Sequence, residues 1–111
     1  MPQYHVDPLI SEFSSDPDMI VIVEMFIRDI PKRVAAIQKA YAEEDRDTFI
    51  LLTQHLFEAA GGYGFPSISL AAQDLQYNAE SRGDLSTLTS EFGKLVELCG
   101  RVRSSCQAHY R

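Results

Sequence analysis

Ile20, Val23, Ile27, Ile30, Val34, Ile37 and Tyr41 follow one another in steps of three and four. That spacing returns to the same side of an α-helix at every turn, so it writes a single apolar stripe about six turns long. A stripe of that length must be covered, and the cover has to come from elements of similar length. Asp16-Pro17 gives it a start: a side-chain acceptor for the first free amides, followed by proline at the first helical position. Pro31 falls inside the stripe and removes one hydrogen bond, which predicts a kink. The phase is kept on both sides of it, so the helix is expected to run on to about Glu43.

The remaining chain supplies the cover. After the solvated turn Glu43-Glu44-Asp45-Arg46-Asp47, a helix is expected over about Arg46 to Gly61, with Phe49, Leu52, Thr53, Leu56 and Ala60 inward. Pro66 or Ser67 opens the next, with Ile68, Ala72, Leu75 and Ala79 inward. Gly83 suits a C-terminal cap of that helix and Asp84 an N-cap for the last one. The last helix is expected to carry Leu88, Phe92, Leu95, Cys99, Val102 and Cys106, again in steps of three and four. Ahead of them all, Pro8 to Phe13 reads as a short leading helix with Leu9, Ile10 and Phe13 on one side. No segment shows sustained alternation, so no strand is expected. Helices of this length with short connections make an all-α, antiparallel four-helix bundle with a short leading N-terminal helix.

Composition sets the outer limits. The chain has 111 residues, enough for one domain with one core. Ten basic against sixteen acidic residues give a net charge of −6, with no basic stripe apparent in the sequence. That balance argues against nucleic acid and against anionic membrane surfaces. The longest apolar run, Met19 to Val23, is far too short for a bilayer, and no signal peptide is visible, so a cytoplasmic location is the default expectation. Cys99 and Cys106 would stand roughly 10 Å apart on one helix, too far for a disulfide. No Cys/His cluster has metal-ligand spacing, and no cofactor is expected. Gly61-Gly62-Tyr63-Gly64 is a poor phosphate cradle, since no strand precedes it and no lysine comes after it.

One stretch is more specific: Thr53-Gln54-His55-Leu56-Phe57-Glu58-Ala59-Ala60-Gly61-Gly62-Tyr63-Gly64-Phe65. It resembles the signature of histidine phosphotransfer (HPt) domains, the helical carriers of two-component phosphorelays. The second half, Ala59 to Phe65, matches that signature without a gap. In this register Gln54 stands where the family has its phosphorylated histidine, Phe57 where it has lysine, and Glu58 where it has glycine. The resemblance implies a bundle that docks a response-regulator receiver domain, a hybrid histidine kinase, or both. Tyr63, Gly64 and Phe65, with Gly62, are expected to be structural: Gly64 for a backbone conformation that other residues avoid, the two aromatics to cap the core.

The chemistry that the resemblance implies is absent from these side chains. Transfer from an aspartyl phosphate needs an imidazole nitrogen as nucleophile, and the amide of Gln54 has its lone pair delocalised. Phe57 offers no positive charge, and Glu58 adds a negative one that repels a phosphoryl group. On a helical wheel Gln54 points about 150° from the core, with Ile50, Phe57, Glu58 and Gly61 around it as a docking surface. The leading expectation is therefore a receiver-binding protein that has lost its phosphoacceptor. Two alternatives stay open. The adjacent His55, on the flank of the same helix, would serve as acceptor if the helix were read one residue out of register. Alternatively, the chain is a helical interaction module unrelated to phosphorelays, self-associating through Ile50 and Phe57. His5 and His109, near the termini, are expected to be surface positions.

Overall fold

Asp16 holds an extended backbone, and its carboxylate accepts the amides of Asp18 at 2.9 Å and Met19 at 3.4 Å. The helix it caps, α1, runs Pro17–Ala42 without a break and contains Pro31. The computed structural model describes residues 8–82 and 84–103, and within them lie three further α-helices: α2 (Arg46–Gly62), α3 (Pro66–Arg82) and α4 (Thr89–Cys99). Asp84 caps a single 3-10 turn, Leu85–Leu88, that leads into α4 and places Leu85 and Leu88 in the core. Gly83, Cys106, His5 and His109 lie outside the described residues.

The four helices pack around one core. α2 lies against both α1 and α3, and α4 against both α3 and α1, so α1 and α3 sit diagonally across the set. On α3 and α4 the buried residues are those that helical spacing selects, Ile68, Ala72, Leu75 and Ala79, then Phe92, Leu95 and Cys99. On α1 the buried face is Val23, Phe26, Ile30, Ile37 and Ala40, while Ile20, Ile27, Val34 and Tyr41 are half-buried. The core side of α1 is thus turned toward Phe26 relative to the stripe. The reason is aromatic packing: Phe26 stacks on Tyr63 at 4.9 Å and meets Phe65 at 5.9 Å. A second cluster joins Tyr41, Phe49 and Phe92, with centroids 5.0 Å (Tyr41–Phe92) and 5.7 Å (Phe49–Phe92) apart. Such pairs add to the burial of the rings themselves.

Two helical expectations are corrected, and with them the expectation that the chain has no strand. Pro8 to Phe13 is not a helix: Leu9–Ile10 forms a strand, β1, and turns then run through Ser15. Nor does the last helix continue through Val102. It ends at Cys99, and Val102–Arg103 forms a second strand, β2, parallel to β1 with Leu9 opposite Val102 and Ile10 opposite Arg103. A six-residue segment after proline gains too few internal hydrogen bonds to hold a helix by itself. At the other end the Gly100 amide closes α4 onto the carbonyls of Val96 and Glu97, and glycine with a β-branched valine soon after it favours leaving the helix. Pairing gives the freed backbone groups partners, as where the Leu9 amide reaches the Arg101 carbonyl at 2.7 Å, and it buries Val102.

α1 and α2 are joined by a turn in which Glu44 takes φ 56°. The Asp45 amide bonds back to the Ala40 carbonyl at 2.9 Å, closing the helix end as a left-handed residue does. A side chain in that conformation costs about 1 kcal/mol more than glycine. Glu44→Gly is therefore expected to raise the urea midpoint, the unfolding free energy rising by about 1 kcal/mol less the greater freedom of glycine in the unfolded chain. A lowered midpoint would show that the Glu44 side chain contributes contacts that outweigh its backbone conformation.

Candidate functional site

The site is built on the second half of α2 and on the turn that ends it. The helix begins at Asp45, whose carboxylate accepts the Thr48 amide, and it buries Phe49, Thr53, Leu56 and Ala60. It ends at Tyr63, after which Gly64 takes φ 88°. The Phe65 amide reaches back to the Ala60 carbonyl at 2.9 Å, and the Gly64 amide to the Gly61 carbonyl at 3.4 Å. This pair of bonds is the Schellman closure, and it drives Phe65 into the core.

The turn is also held from outside. Ser11, in the segment after β1, is buried; its hydroxyl donates to the Tyr63 carbonyl at 2.7 Å and accepts the Phe13 amide at 3.0 Å. The Glu12 amide donates to the Gly64 carbonyl at 2.9 Å. A β-carbon on Gly64 would lie 2.6 Å from Ser11 Oγ and 2.8 Å from the Glu12 amide nitrogen. Gly64 thus has two separate reasons to be glycine, its dihedral and its neighbours. The sequence does not single out Ser11, because one serine in an irregular segment carries no periodic signal.

Gln54 is half-buried, not fully outward. α3 lies along α2 and approaches it closely at Phe57 and Gly61. Ser69 Oγ on α3 donates to the Phe57 carbonyl at 2.9 Å, and a β-carbon on Gly61 would stand 3.2 Å from the same oxygen. Ile50 and Phe57 are likewise half-buried and pack against the core instead of forming an exposed apolar patch. Glu58, one turn beyond Gln54, is exposed, and the Gln54 Nε2 donates to Glu58 Oε2 at 3.3 Å. The outward ridge of α2 is made by Leu51, His55, Glu58, Gly61 and Gly62, all exposed.

His55 faces the other way. With Glu58, Ala59 and Gly62 it lines an open hollow on the α1 side of the ridge, closed across the groove by Arg33 and Tyr63. The Arg33 guanidinium is itself held in place, 3.1 Å from the Asp29 carboxylate and 5.6 Å above the Phe26 ring. The two candidate acceptor positions, adjacent in sequence, therefore belong to different grooves. Gln54 sits with Glu58 toward α3, and His55 sits toward α1 with a cation nearby. Glu58 borders both.

Other chemistry is sparse. Among the described residues no group of three His, Cys, Asp or Glu side chains is placed to hold a metal ion. Burial pushes the Cys99 thiol up to about 12, so it stays protonated and is no nucleophile near neutral pH. No described helix is long and apolar enough to cross a membrane. Comparison with protein-family models, with curated proteins and with solved structures finds no match to this chain.

Proposed function

We propose that this chain is a phosphorelay protein of HPt type, an antiparallel four-helix bundle that binds a receiver domain, or the receiver of a hybrid histidine kinase, without accepting its phosphoryl group. The observation that carries the proposal is the pairing of Gln54 with Glu58, an amide and a carboxylate joined at the acceptor position of an HPt-like α2. The amide is no nucleophile, and the carboxylate repels an incoming phosphoryl group. The antiparallel reading is supported by side chains that tie helix starts to helix ends. Arg46, first in α2, donates to the carbonyls of Ala79 and Glu80 late in α3, while Ser69, early in α3, donates to Phe57 late in α2. A silent domain of this shape occupies a receiver surface and competes with a competent carrier, or holds the receiver as an adaptor.

The test is a calorimetric titration of the chain against receiver domains from the same cell, repeated with Gln54→Trp. Ile50, Gln54, Phe57, Glu58 and Gly61 are the proposed docking residues. An indole among them is expected to weaken binding on the order of tenfold or more, as a bulky group at the centre of an interface does. Failure of every receiver to bind, or equal binding by the variant, would remove the proposal.

One observation favours a second reading, an active carrier that uses His55. That imidazole is exposed and shares its hollow with Arg33, a cation able to neutralise a phosphoryl group. This reading expects acid-labile label on the chain after incubation with a phosphorylated receiver, and its loss in His55→Ala. Label that persists in His55→Ala would dismiss His55 as the acceptor.

A further inference from the structure

The helices present two outward faces that nothing in the described structure covers. Val21, Met25, Arg28 and Lys32 step along the solvent side of α1 by four, three and four residues. Leu70, Asp74, Tyr77 and Glu80 step along the solvent side of α3 by four, three and three. The apolar members are among the most exposed large hydrophobic residues described, Val21 at 59%, Met25 at 60%, Leu70 at 61% and Tyr77 at 68%. The charged members are exposed as well, and none of Arg28, Lys32, Asp74 and Glu80 forms an ion pair among the described residues. Each stripe is roughly 15 Å long. The two stripes differ in charge: α1 carries Arg28 and Lys32, with Asp29 at its edge, and α3 carries Asp74 and Glu80 on its two flanks, with Lys94 near the first and the Arg46 guanidinium bound to the carbonyl of the second.

We infer that the outer face of α1 on one copy docks against the outer face of α3 on a second copy. Laid side by side in the same direction, the stripes set Val21 and Met25 beside Leu70, Arg28 beside Asp74 and the Tyr77 ring, and Lys32 beside Glu80. Like faces laid parallel bring cation to cation or carboxylate to carboxylate, and two α1 faces laid antiparallel, as a twofold axis sets them, put Arg28 and Lys32 against the partner's Met25 and Val21, so like faces leave the cations without carboxylate partners. The contact is thus heterologous. Because α1 and α3 lie diagonally across the helix set, a pair of copies keeps one free face of each kind, and the assembly grows into rings or open chains. One helix face per partner falls below the area of a stable dimer, so the association belongs to the weak class. This inference does not depend on the proposed phosphorelay role and uses none of its docking residues.

Sedimentation velocity on the full chain from about 10 µM to about 1 mM tests it, over a range suited to a contact of this size. The expected result is association that rises with concentration and passes beyond the dimer. Arg28→Glu with Lys32→Glu gives a chain with two acidic faces, and Asp74→Lys with Glu80→Lys one with two basic faces. Each is expected to weaken self-association on the order of tenfold or more, and the two are expected to co-assemble when mixed. All four changes in one chain restore complementarity and keep the net charge at −6, and association must return. Circular-dichroism melts confirm that these surface changes leave the fold intact. A wild-type chain that stays monomeric at every concentration overturns the inference, as does association that ignores the swaps or stops at a closed dimer. Binding of a receiver domain to the α1 face of a monomeric chain, abolished by Arg28→Glu, overturns it in favour of another occupant.

Discussion

Gly64→Ala is expected to destabilise the fold by about 3 kcal/mol, the sum of two effects at one atom. A non-glycine residue in the left-handed region costs about 1–2 kcal/mol. The added β-carbon also meets Ser11 Oγ at 2.6 Å and the Glu12 amide nitrogen at 2.8 Å, both inside van der Waals contact. One neighbour is backbone, so a side-chain rotation cannot relieve the clash. The segment after β1 must move, and the bonds from Ser11 to Tyr63 and from Glu12 to Gly64 lengthen or break. Each such bond contributes about 1 kcal/mol. Urea unfolding gives the total, and hydrogen exchange gives the place: the Glu12 and Phe13 amides should lose protection first. Ser11→Ala in the Gly64→Ala background removes one of the two clashing atoms, so the double variant should cost less than the sum of the singles. If Gly64→Ala changes stability by less than about 0.5 kcal/mol, the docking of the N-terminal segment on this turn is wrong.

The legible parts of the fold are those that repeat. Ile68, Ala72, Leu75 and Ala79 mark the inner face of α3, and all four are buried. Asp16-Pro17 announces the start of α1, and the Asp16 carboxylate accepts two of its first amides. The illegible parts are single events. Glu44 and Gly64 occupy equivalent places at helix ends and both take positive φ, yet only the glycine advertises it. A glutamate in that role looks like any other residue of a solvated acidic turn. The pairing of Leu9 with Val102 is invisible for a different reason. Two-residue strands have no period, and their partner lies at the far end of the chain. The site divides in the same way. The proximity of Gln54 and Glu58 is set by their spacing on a helix, whereas the approach of α3 to α2, as where Ser69 reaches the Phe57 carbonyl, is recorded by no pattern within α2.

In a His55→Ala background, Gln54→His is expected to accept phosphate from a receiver on the order of a hundredfold more slowly than the triple change Gln54→His, Phe57→Lys, Glu58→Gly. The surroundings of position 54 set that magnitude. Gln54 Nε2 is already 3.3 Å from Glu58 Oε2, so an imidazole placed there has a carboxylate within reach. A phosphoryl group carries about two negative charges, and at about 4 Å in water its repulsion from one carboxylate is about 2 kcal/mol. That is roughly 30-fold in rate. Removing Glu58 recovers this factor, and a lysine at 57 adds an attraction of similar size, which together reach or exceed two orders of magnitude. The gain has a structural cost: glycine at 58 weakens the helix by about 1 kcal/mol. Lysine at the half-buried position 57 exchanges ring packing for an aliphatic stem that lies along the same surface. Folding is therefore checked first by thermal melts, and transfer is then measured as acid-labile label against time. Equal rates for the single and triple variants would mean that Glu58 swings clear of the acceptor when a receiver docks. The proposed silence of the natural chain would then rest on Gln54 alone.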